Sequence, residues 1–169
     1  VYKRQLIEDL EDYNNDIIRT EKKNRKLSKN KHKKKKRNPN FPGDISENIA
    51  KYAIFKKHGI MPCWDTKKGD LFIDKKNIPF RQLEIKGFMS NGPSSFGPTE
   101  NWDWLYFVDA RDTINCNFKV YEIRLSNTCE TWRNIIMSGQ EFMKTNIPDL
   151  PENLEILNLS ELKTLCEGR

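Results

Sequence analysis

The sequence has little of several residue types on which common enzyme sites depend. Only two histidines are present, His32 and His58, so a histidine-based zinc hydrolase or a Ser-His triad has almost nothing to be built from. The four cysteines lie far apart and include no CxxC pair, which argues against a zinc ribbon or a disulfide framework and indicates reduced thiols. They are Cys63, Cys116, Cys129 and Cys166. Any chemistry must therefore depend on carboxylates, lysines or hydroxyls.

Long apolar runs are also missing. No stretch approaches the roughly 18 to 20 residues of a transmembrane helix, and the first residues, VYKRQLIEDLED, lack the apolar stretch of a secretory signal. We therefore expect a cytoplasmic protein that is neither secreted nor bound to a membrane. The chain has 169 residues, of which 36% are hydrophobic, and this is enough for one modest core. It begins at Val1 rather than Met, which is compatible with a longer protein.

What the sequence has in excess is positive charge, and that charge is concentrated in one segment. Twelve of the 30 Lys and Arg residues lie between Arg19 and Arg37, where Glu21 is the one acidic residue. The rest of the chain carries the other 18 basic residues and 23 of the 24 acidic ones, a net charge of −5. A basic arm beside an acidic body is typical of a protein that neutralises nucleic-acid phosphates. A solvated or localisation-type basic run is the alternative.

Periodicity and composition divide the chain into three parts. Apolar residues spaced by three or four predict an amphipathic helix within residues 3–26. These residues are Leu6, Leu10, Tyr13 and Ile17. The run KHKKKKRNPNFPGD combines like charges with two prolines and a glycine, which favours an extended linker. We therefore place the helix in residues 1–27, a basic linker or arm in residues 28–43 and the folded domain in residues 44–169.

The folded domain reads as α/β. It begins with a helix that Asp44 or Ser46 can cap and that ends at Gly59. The strand-like runs DLFID and FRQLEIKGF, joined by KKNIP, predict an antiparallel hairpin, and WLYFVDA and FKVYEIRL predict two more strands. A helix in TCETWRNIIMSGQEFM, a short strand in LEILNL and a terminal helix capped by Ser160 follow. We predict a mixed central β-sheet of four to five strands flanked by helices.

The predicted hairpin carries three residues that suggest chemistry. Glu84 and Lys86 lie two residues apart on a strand and so share a face, while Asp70 opens the partner strand and comes beside Glu84 across the ladder. Two neighbouring carboxylates repel each other unless a cation lies between them, and oxygen ligands of this kind suit Mg²⁺ or Mn²⁺. Lys86 could then orient a water and stabilise charge that develops on a phosphate. This arrangement suits metal-assisted hydrolysis of a phosphodiester.

Asp70, followed after thirteen residues by EIK and preceded by a helix that bears Glu47, resembles the motif of the PD-(D/E)xK nuclease superfamily. The resemblance covers residues 44–125. It implies a core with a mixed four-stranded sheet flanked by helices, and an enzyme that hydrolyses DNA with Mg²⁺. It implies that Asp70 and Glu84 are metal ligands and that Lys86 is the catalytic lysine. Glu47 matches a helix glutamate that completes the site in some members.

The residue before the acid is Gly69 rather than the family's Pro, a departure that leaves the carboxylate in place. Among subfamilies the chain is most similar to small type II restriction endonucleases, through the segment GPSSFGPTENWDWLYFVDA. This similarity implies sequence-specific cleavage of double-stranded DNA. Cutting both strands of a palindrome favours a homodimer, for which the helix in residues 3–18 is a candidate interface.

Two regions are candidate DNA contacts. The basic arm would bind phosphates, chiefly through Lys33, Lys34, Lys35, Lys36 and Arg37. The Gly-Pro-rich loop in residues 90–102 follows the lysine directly and offers the hydroxyls of Ser94 and Ser95 and the amide of Asn101. A rigid structural loop is the alternative.

Other interpretations stay open at this point. Glu84 and Lys86 could form a solvated ion pair without function, and Glu47 could be an acid that stabilises the helix dipole. Junction-resolving and DNA-repair nucleases share the fold that the resemblance implies. A non-catalytic basic DNA-binding protein, with the arm as its active part, is the alternative from another class.

Overall fold

The structure is a computed structural model that describes residues 2–27, 40–64, 70–75, 78–89, 102–124, 126 and 154–167. Their three α-helices are α1 (Tyr2–Leu27), α2 (Gly43–His58) and α3 (Leu159–Glu167). Their six strands are β1 (Cys63–Trp64), β2 (Leu71–Lys75), β3 (Ile78–Phe88), β4 (Trp104–Asp112), β5 (Asn117–Ile123) and β6 (Leu154–Leu157). A 3₁₀ turn (Thr113–Asn115) joins β4 to β5. The helix predicted in TCETWRNIIMSGQEFM lies outside the described residues.

The strands lie side by side in chain order in one sheet. Strands β3 and β4 run parallel, and every other neighbouring pair is antiparallel. The predicted α/β fold with a mixed sheet and flanking helices is therefore confirmed. Five strands have four or more residues; the sixth, β1, has only two and pairs with β2 at the edge. A strand that short carries no alternation by which the sequence could reveal it.

The two faces of the sheet differ. One, the helix-covered face, forms a single hydrophobic core with the helices. Its sheet residues include Leu71, Ile73, Leu83, Ile85, Tyr106, Val108, Phe118 and Val120. Cross-strand pairing places Glu84, Lys86, Phe107 and Asp109 on the other side, the opposite face.

Helix α1 belongs to this core. Its predicted apolar stripe, Leu6, Leu10, Tyr13 and Ile17, is buried in the same cluster as the sheet. Asn14 anchors the helix further, because its Nδ2 donates to the carbonyl of Thr113 at 2.7 Å and its Oδ1 accepts from the Thr113 hydroxyl at 2.8 Å. The stripe is thus used within the chain, so only the other faces of the helix are left for the predicted interface between two copies, which stays a prediction.

The end of the predicted linker also contacts the core. Phe41 is 9% exposed, and its ring meets that of Tyr13 edge-on at 5.3 Å and lies 6.1 Å from that of Phe118. The basic residues 28–37 lie outside the described residues, and the division of the chain at residues 27 and 43 stays a prediction.

Helix α2 presses closely on β3. A Cβ at Gly87 would lie 1.9 Å from the Ser46 hydroxyl, so only a glycine permits this approach. The helix begins at Gly43, so the predicted caps Asp44 and Ser46 lie inside it and the prediction is wrong. Pro42 occupies the N-cap position and has no side-chain acceptor, and the Ser46 hydroxyl donates to the carbonyl of Pro42. It ends at Gly59, whose φ of +69° is left-handed, as the sequence predicts.

The C-terminal helix α3 has a different cap from the predicted one. Asn158 rather than Ser160 caps it: the Asn158 Oδ1 accepts from the backbone N–H of Glu161 at 2.8 Å, and Glu161 accepts in return from the N–H of Asn158. Cys63 and Cys116 are free thiols, as predicted. None of the helices in the described residues is long and apolar enough to span a membrane.

Candidate active site

The β2–β3 hairpin brings Asp70 to Glu84. Leu71 pairs with Leu83, so Asp70, one residue before β2, faces Glu84 across the antiparallel ladder. The Oδ2 atom of Asp70 accepts a hydrogen bond of 2.7 Å from the backbone N–H of Ile85. The hairpin that the sequence predicts thus forms, with the two carboxylates as neighbours.

Glu84 and Lys86 share the opposite face of the sheet. The Lys86 Nζ lies 2.8 Å from the Glu84 Oε1, and their side chains are 27% and 7% exposed. The pair is therefore not the solvated surface pair that the sequence left open, because one carboxylate is almost fully removed from water. A buried charge of this kind requires a partner. Lys86 supplies it while keeping its ammonium at the surface.

Glu47 reaches the same place from the second turn of α2. Burial raises the pKa of Glu47 to about 8, and the negative charge of Asp70, a hydrogen bond with Asp70 and the charges of Asp44 and Glu84 add to the effect. A carboxyl can respond to those charges only if it lies close to them. The structure therefore brings together all four predicted site residues.

The raised pKa defines the state of this cluster without a cation. Below pH 8, Glu47 keeps its proton and can donate it to Asp70, which relieves the repulsion between the two carboxyls. Among the side chains that the structure describes, no three carboxylate, imidazole or thiol groups are already arranged to ligate one ion. Mg²⁺ needs no such cage, because one or two carboxylates with waters and a substrate phosphate are its usual protein site. The donor set fits a magnesium ion.

A second buried carboxylate, which the sequence analysis did not single out, lies on the helix-covered face. Glu122 is 2% exposed and accepts hydrogen bonds from the Tyr106 hydroxyl at 2.9 Å and the Arg124 Nε at 2.8 Å, while the His58 Nε2 lies 2.6 Å away. Burial alone would raise the pKa of Glu122, but the hydrogen bonds with His58, Arg124 and Tyr106 outweigh it and lower that pKa. These contacts fasten the C-terminal end of α2 to the sheet.

Only a weak signal in the sequence could have identified Glu122. It follows Val120 at the period of a strand, so an acid takes the place where an inward apolar residue is expected. Its partners His58 and Tyr106 are 64 and 16 residues away, and only the fold brings them together.

The predicted DNA contacts lie outside the described residues. Lys33, Lys34, Lys35, Lys36 and Arg37 of the basic arm lie outside the described residues. Ser94, Ser95 and Asn101 of the loop after β3 do so too. Their roles stay predictions.

Comparison with known families identifies a relationship over most of the chain. A family model described as Bsp6I restriction endonuclease matches residues 9–145, which include α1 from residue 9 onward, all of α2 and strands β1 to β5. No curated protein and no solved structure matches significantly.

Proposed function

This chain belongs to the Bsp6I restriction endonuclease family, and we propose that it is a type II enzyme that cuts double-stranded DNA at a specific sequence with the help of Mg²⁺. Family membership makes it a restriction endonuclease, a site-specific nuclease of a restriction system. The metal dependence, the site residues and the assignment to the PD-(D/E)xK superfamily are our proposal. The observation that carries it is the meeting of Glu47, Asp70 and Glu84 beside Lys86 at the β2–β3 hairpin.

Asp70 and Glu84 would hold the ion. Both are anchored, Asp70 by the N–H of Ile85 and Glu84 by Lys86, so their oxygens are fixed before the substrate arrives. A bound divalent ion supplies positive charge next to the phosphate and makes its water more acidic. Mn²⁺ could substitute, because it accepts the same oxygen ligands.

The remaining two residues would act around that ion. Lys86, on the same strand face as Glu84, places a cation where negative charge develops on the phosphate during hydrolysis. Glu47 would lose its proton when a cation binds, because the positive charge reverses the effect of the neighbouring carboxylates. Its oxygen then becomes available as a further ligand or as an acceptor for a water.

The remaining parts of the proposal concern the substrate and the assembly. The basic arm, with Lys33 to Arg37, would bind the DNA backbone in any sequence. Ser94, Ser95 and Asn101 would contact the duplex next to the site. Two copies would act together to cut both strands, through a surface other than the stripe of α1. We place the enzyme in the cytoplasm, where the DNA is.

The first test is to incubate the purified protein with plasmid DNA in Mg²⁺, alongside Lys86→Ala, an EDTA sample and Lys56→Ala as a control. Lys56 forms a surface pair with Glu161 at 3.1 Å, so its loss should leave cleavage unchanged. We expect discrete fragments for wild type and Lys56→Ala, and loss of cleavage by at least roughly 100-fold for Lys86→Ala. Retarded but intact plasmid for every variant would refute the catalytic proposal. Cleavage confined to branched DNA would point to a junction-resolving enzyme instead.

A further inference from the structure

A second acid and base pair lies on the face that carries Lys86. Near the end of β4, the Arg111 Nε lies 3.0 and 3.2 Å from the two carboxylate oxygens of Asp109, and the Arg111 Nη2 lies 2.7 Å from Oδ2. The backbone N–H of Arg111 also donates to Asp109, at 3.1 Å. Asp109 therefore binds the side edge of the guanidinium, the edge formed by Nε and Nη2.

This contact leaves the other edge of the guanidinium facing outward. Nη1 and the second N–H of Nη2 form the end edge of the fork, and within the described residues no hydrogen bond occupies them. The Arg111 side chain is 47% exposed, whereas that of Asp109 is 6% exposed. The Phe88 ring, with its centroid 5.9 Å from the guanidinium carbon, supports the group from one side. Arg111 thus presents two parallel donors to solvent in a fixed orientation.

The surroundings distinguish between the groups that could accept these donors. Arg111 opens into a cavity of 290 Å³. The cavity is lined by Asp109, Arg111, Asp112, Asn117, Phe118 and Lys119. Its two acids balance its two bases, so it lacks the excess positive charge expected at a phosphate site. Paired donors in a cavity without net charge instead suit the edge of a base, where acceptors and donors lie side by side.

The cavity is also within reach of the site. Lys86 pairs with Phe107 and Phe88 with Asp109. Arg111 lies four residues beyond Phe107, within a stretch where the β4–β5 register shifts, and its contacts with Asp109 and Phe88 keep it on the face of Lys86. At the rise of a strand this is about 13 Å from the level of Lys86. It corresponds to roughly four base pairs of B-DNA. A duplex cut at Lys86 would therefore pass Arg111 with a base close to the cut.

We propose that Arg111, oriented by Asp109, reads a guanine in the major groove of the recognition sequence, within about four base pairs of the cut. The end edge of arginine matches the O6 and N7 acceptors of guanine, which no other base pair offers in that arrangement. Arg111 is then a specificity-determining residue and Asp109 a positioning residue. The inference rests on the proposed function, because it needs a duplex bound at the site.

The test uses the full chain and a pool of duplexes with a randomised central block, with Ca²⁺ in place of Mg²⁺ to keep the DNA intact. Bound duplexes are sequenced for wild type, Arg111→Gln, Arg111→Lys, Asp109→Asn and the control Arg124→Lys. Arg124 is a close match, because it too pairs with a buried carboxylate two residues earlier, Glu122. It differs in place: it follows β5 on the helix-covered face, beside the start of β4, whereas Arg111 lies near the end of β4. Thermal unfolding of each variant verifies that it folds.

We expect wild type and Arg124→Lys to select the same sequence. In Arg111→Gln and Arg111→Lys, preference for one guanine should fall by roughly 5- to 150-fold while the other positions keep theirs. Asp109→Asn should weaken preference at that same position, an effect that a purely structural role would not produce.

Three results would overturn the inference. If Arg111→Gln selects the wild-type sequence with unchanged preference, Arg111 reads no base. If it binds all sequences more weakly and equally, with a reduced salt dependence, Arg111 contacts a phosphate. Both leave the proposed function intact, whereas a wild type that selects no sequence and cuts no plasmid would refute that function along with the inference.

Discussion

The Asp70 carboxylate accepts a 2.7 Å hydrogen bond from the backbone N–H of Ile85, the residue between Glu84 and Lys86. One side chain therefore both closes the end of the hairpin and supplies a charge to the site. The two contributions can be separated because Asn keeps an acceptor oxygen and loses the charge.

We expect Asp70→Asn to unfold within about 1 kcal/mol of wild type and to cut plasmid at least roughly 100-fold more slowly. Asp70→Ala removes the acceptor as well and should cost about 1 to 3 kcal/mol of stability. Urea unfolding and the rate of plasmid cleavage measure the two effects. Cleavage by Asp70→Asn at the wild-type rate would remove Asp70 from the proposed metal site.

Glu47 should make stability depend on pH. Its pKa is about 8 in the folded chain and near 4.5 when unfolded, so the folded state holds the extra proton between these values. Stability must then fall as pH rises from about 4.5 to 8. Glu47→Gln, which mimics the protonated form, should lack this fall and exceed wild type at pH 9 by about 1 to 2 kcal/mol, a figure reduced for solvent around a half-buried side chain.

Thermal unfolding at pH 5 and pH 9 tests this prediction, with Glu161→Gln on the surface as the control. Mg²⁺ should raise the melting temperature of wild type more at pH 9 than at pH 5, because Glu47 is then ionised. Parallel curves for wild type and Glu47→Gln would mean that neither burial nor the neighbouring carboxyls raise the pKa of Glu47.

Glu122 should matter for stability in the opposite pH range. Its pKa is lowered by its hydrogen bonds with His58, Arg124 and Tyr106, so its contribution is present above the unfolded value and is lost as pH falls through the folded one. Glu122→Gln should cost about 1 to 3 kcal/mol at pH 7, because it replaces the charged acceptor of these hydrogen bonds with a neutral amide. The difference from wild type should shrink in acid. Denaturation of Glu122→Gln at the wild-type urea midpoint at pH 7 would contradict this account.

Gly87 tests the packing that positions Glu47. An added Cβ would meet the Ser46 Oγ at 1.9 Å and the Ser46 Cβ at 2.9 Å, so Gly87→Ala must push α2 away from β3. We expect a loss of about 1 to 3 kcal/mol together with slower cleavage, and partial recovery of both when Ser46→Gly is added. Gly43→Ala is the matched control, since nothing lies within 4 Å of its added Cβ. Equal stability of Gly87→Ala and wild type would argue against this close approach.

The sequence predicted the β2–β3 hairpin and the placement of Asp70, Glu84 and Lys86 on it, because both follow from local rules. Alternation fixes which face Glu84 and Lys86 share, and a short turn fixes that Asp70 comes back beside Glu84. Helix periodicity likewise found α1, although it could not tell which surface the stripe of α1 would cover. The stripe packs on this chain's own sheet, a choice that depends on the tertiary fold.

The unpredicted features are those that join distant parts of the chain or depend on burial. The partners of Glu122 come from α2 and β4, and no local pattern connects them. The Asp109 and Arg111 pair is local, in the run DAR, but two charges at that spacing are ordinary on a surface strand. Its interest lies in the burial of Asp109 and the exposure of Arg111.

The alternation of apolar and charged residues along β3 makes the fold sensitive to errors in strand register. Leu83 and Ile85 point into the core while Glu84 and Lys86 point to the site. A slip of one residue in the pairing of this strand would exchange the two sets, putting both charges into the hydrocarbon interior. A chain paired in the wrong register would therefore lose its core and its proposed active site together. For an enzyme that damages DNA, such a misfolded chain would be both unstable and unable to cleave DNA.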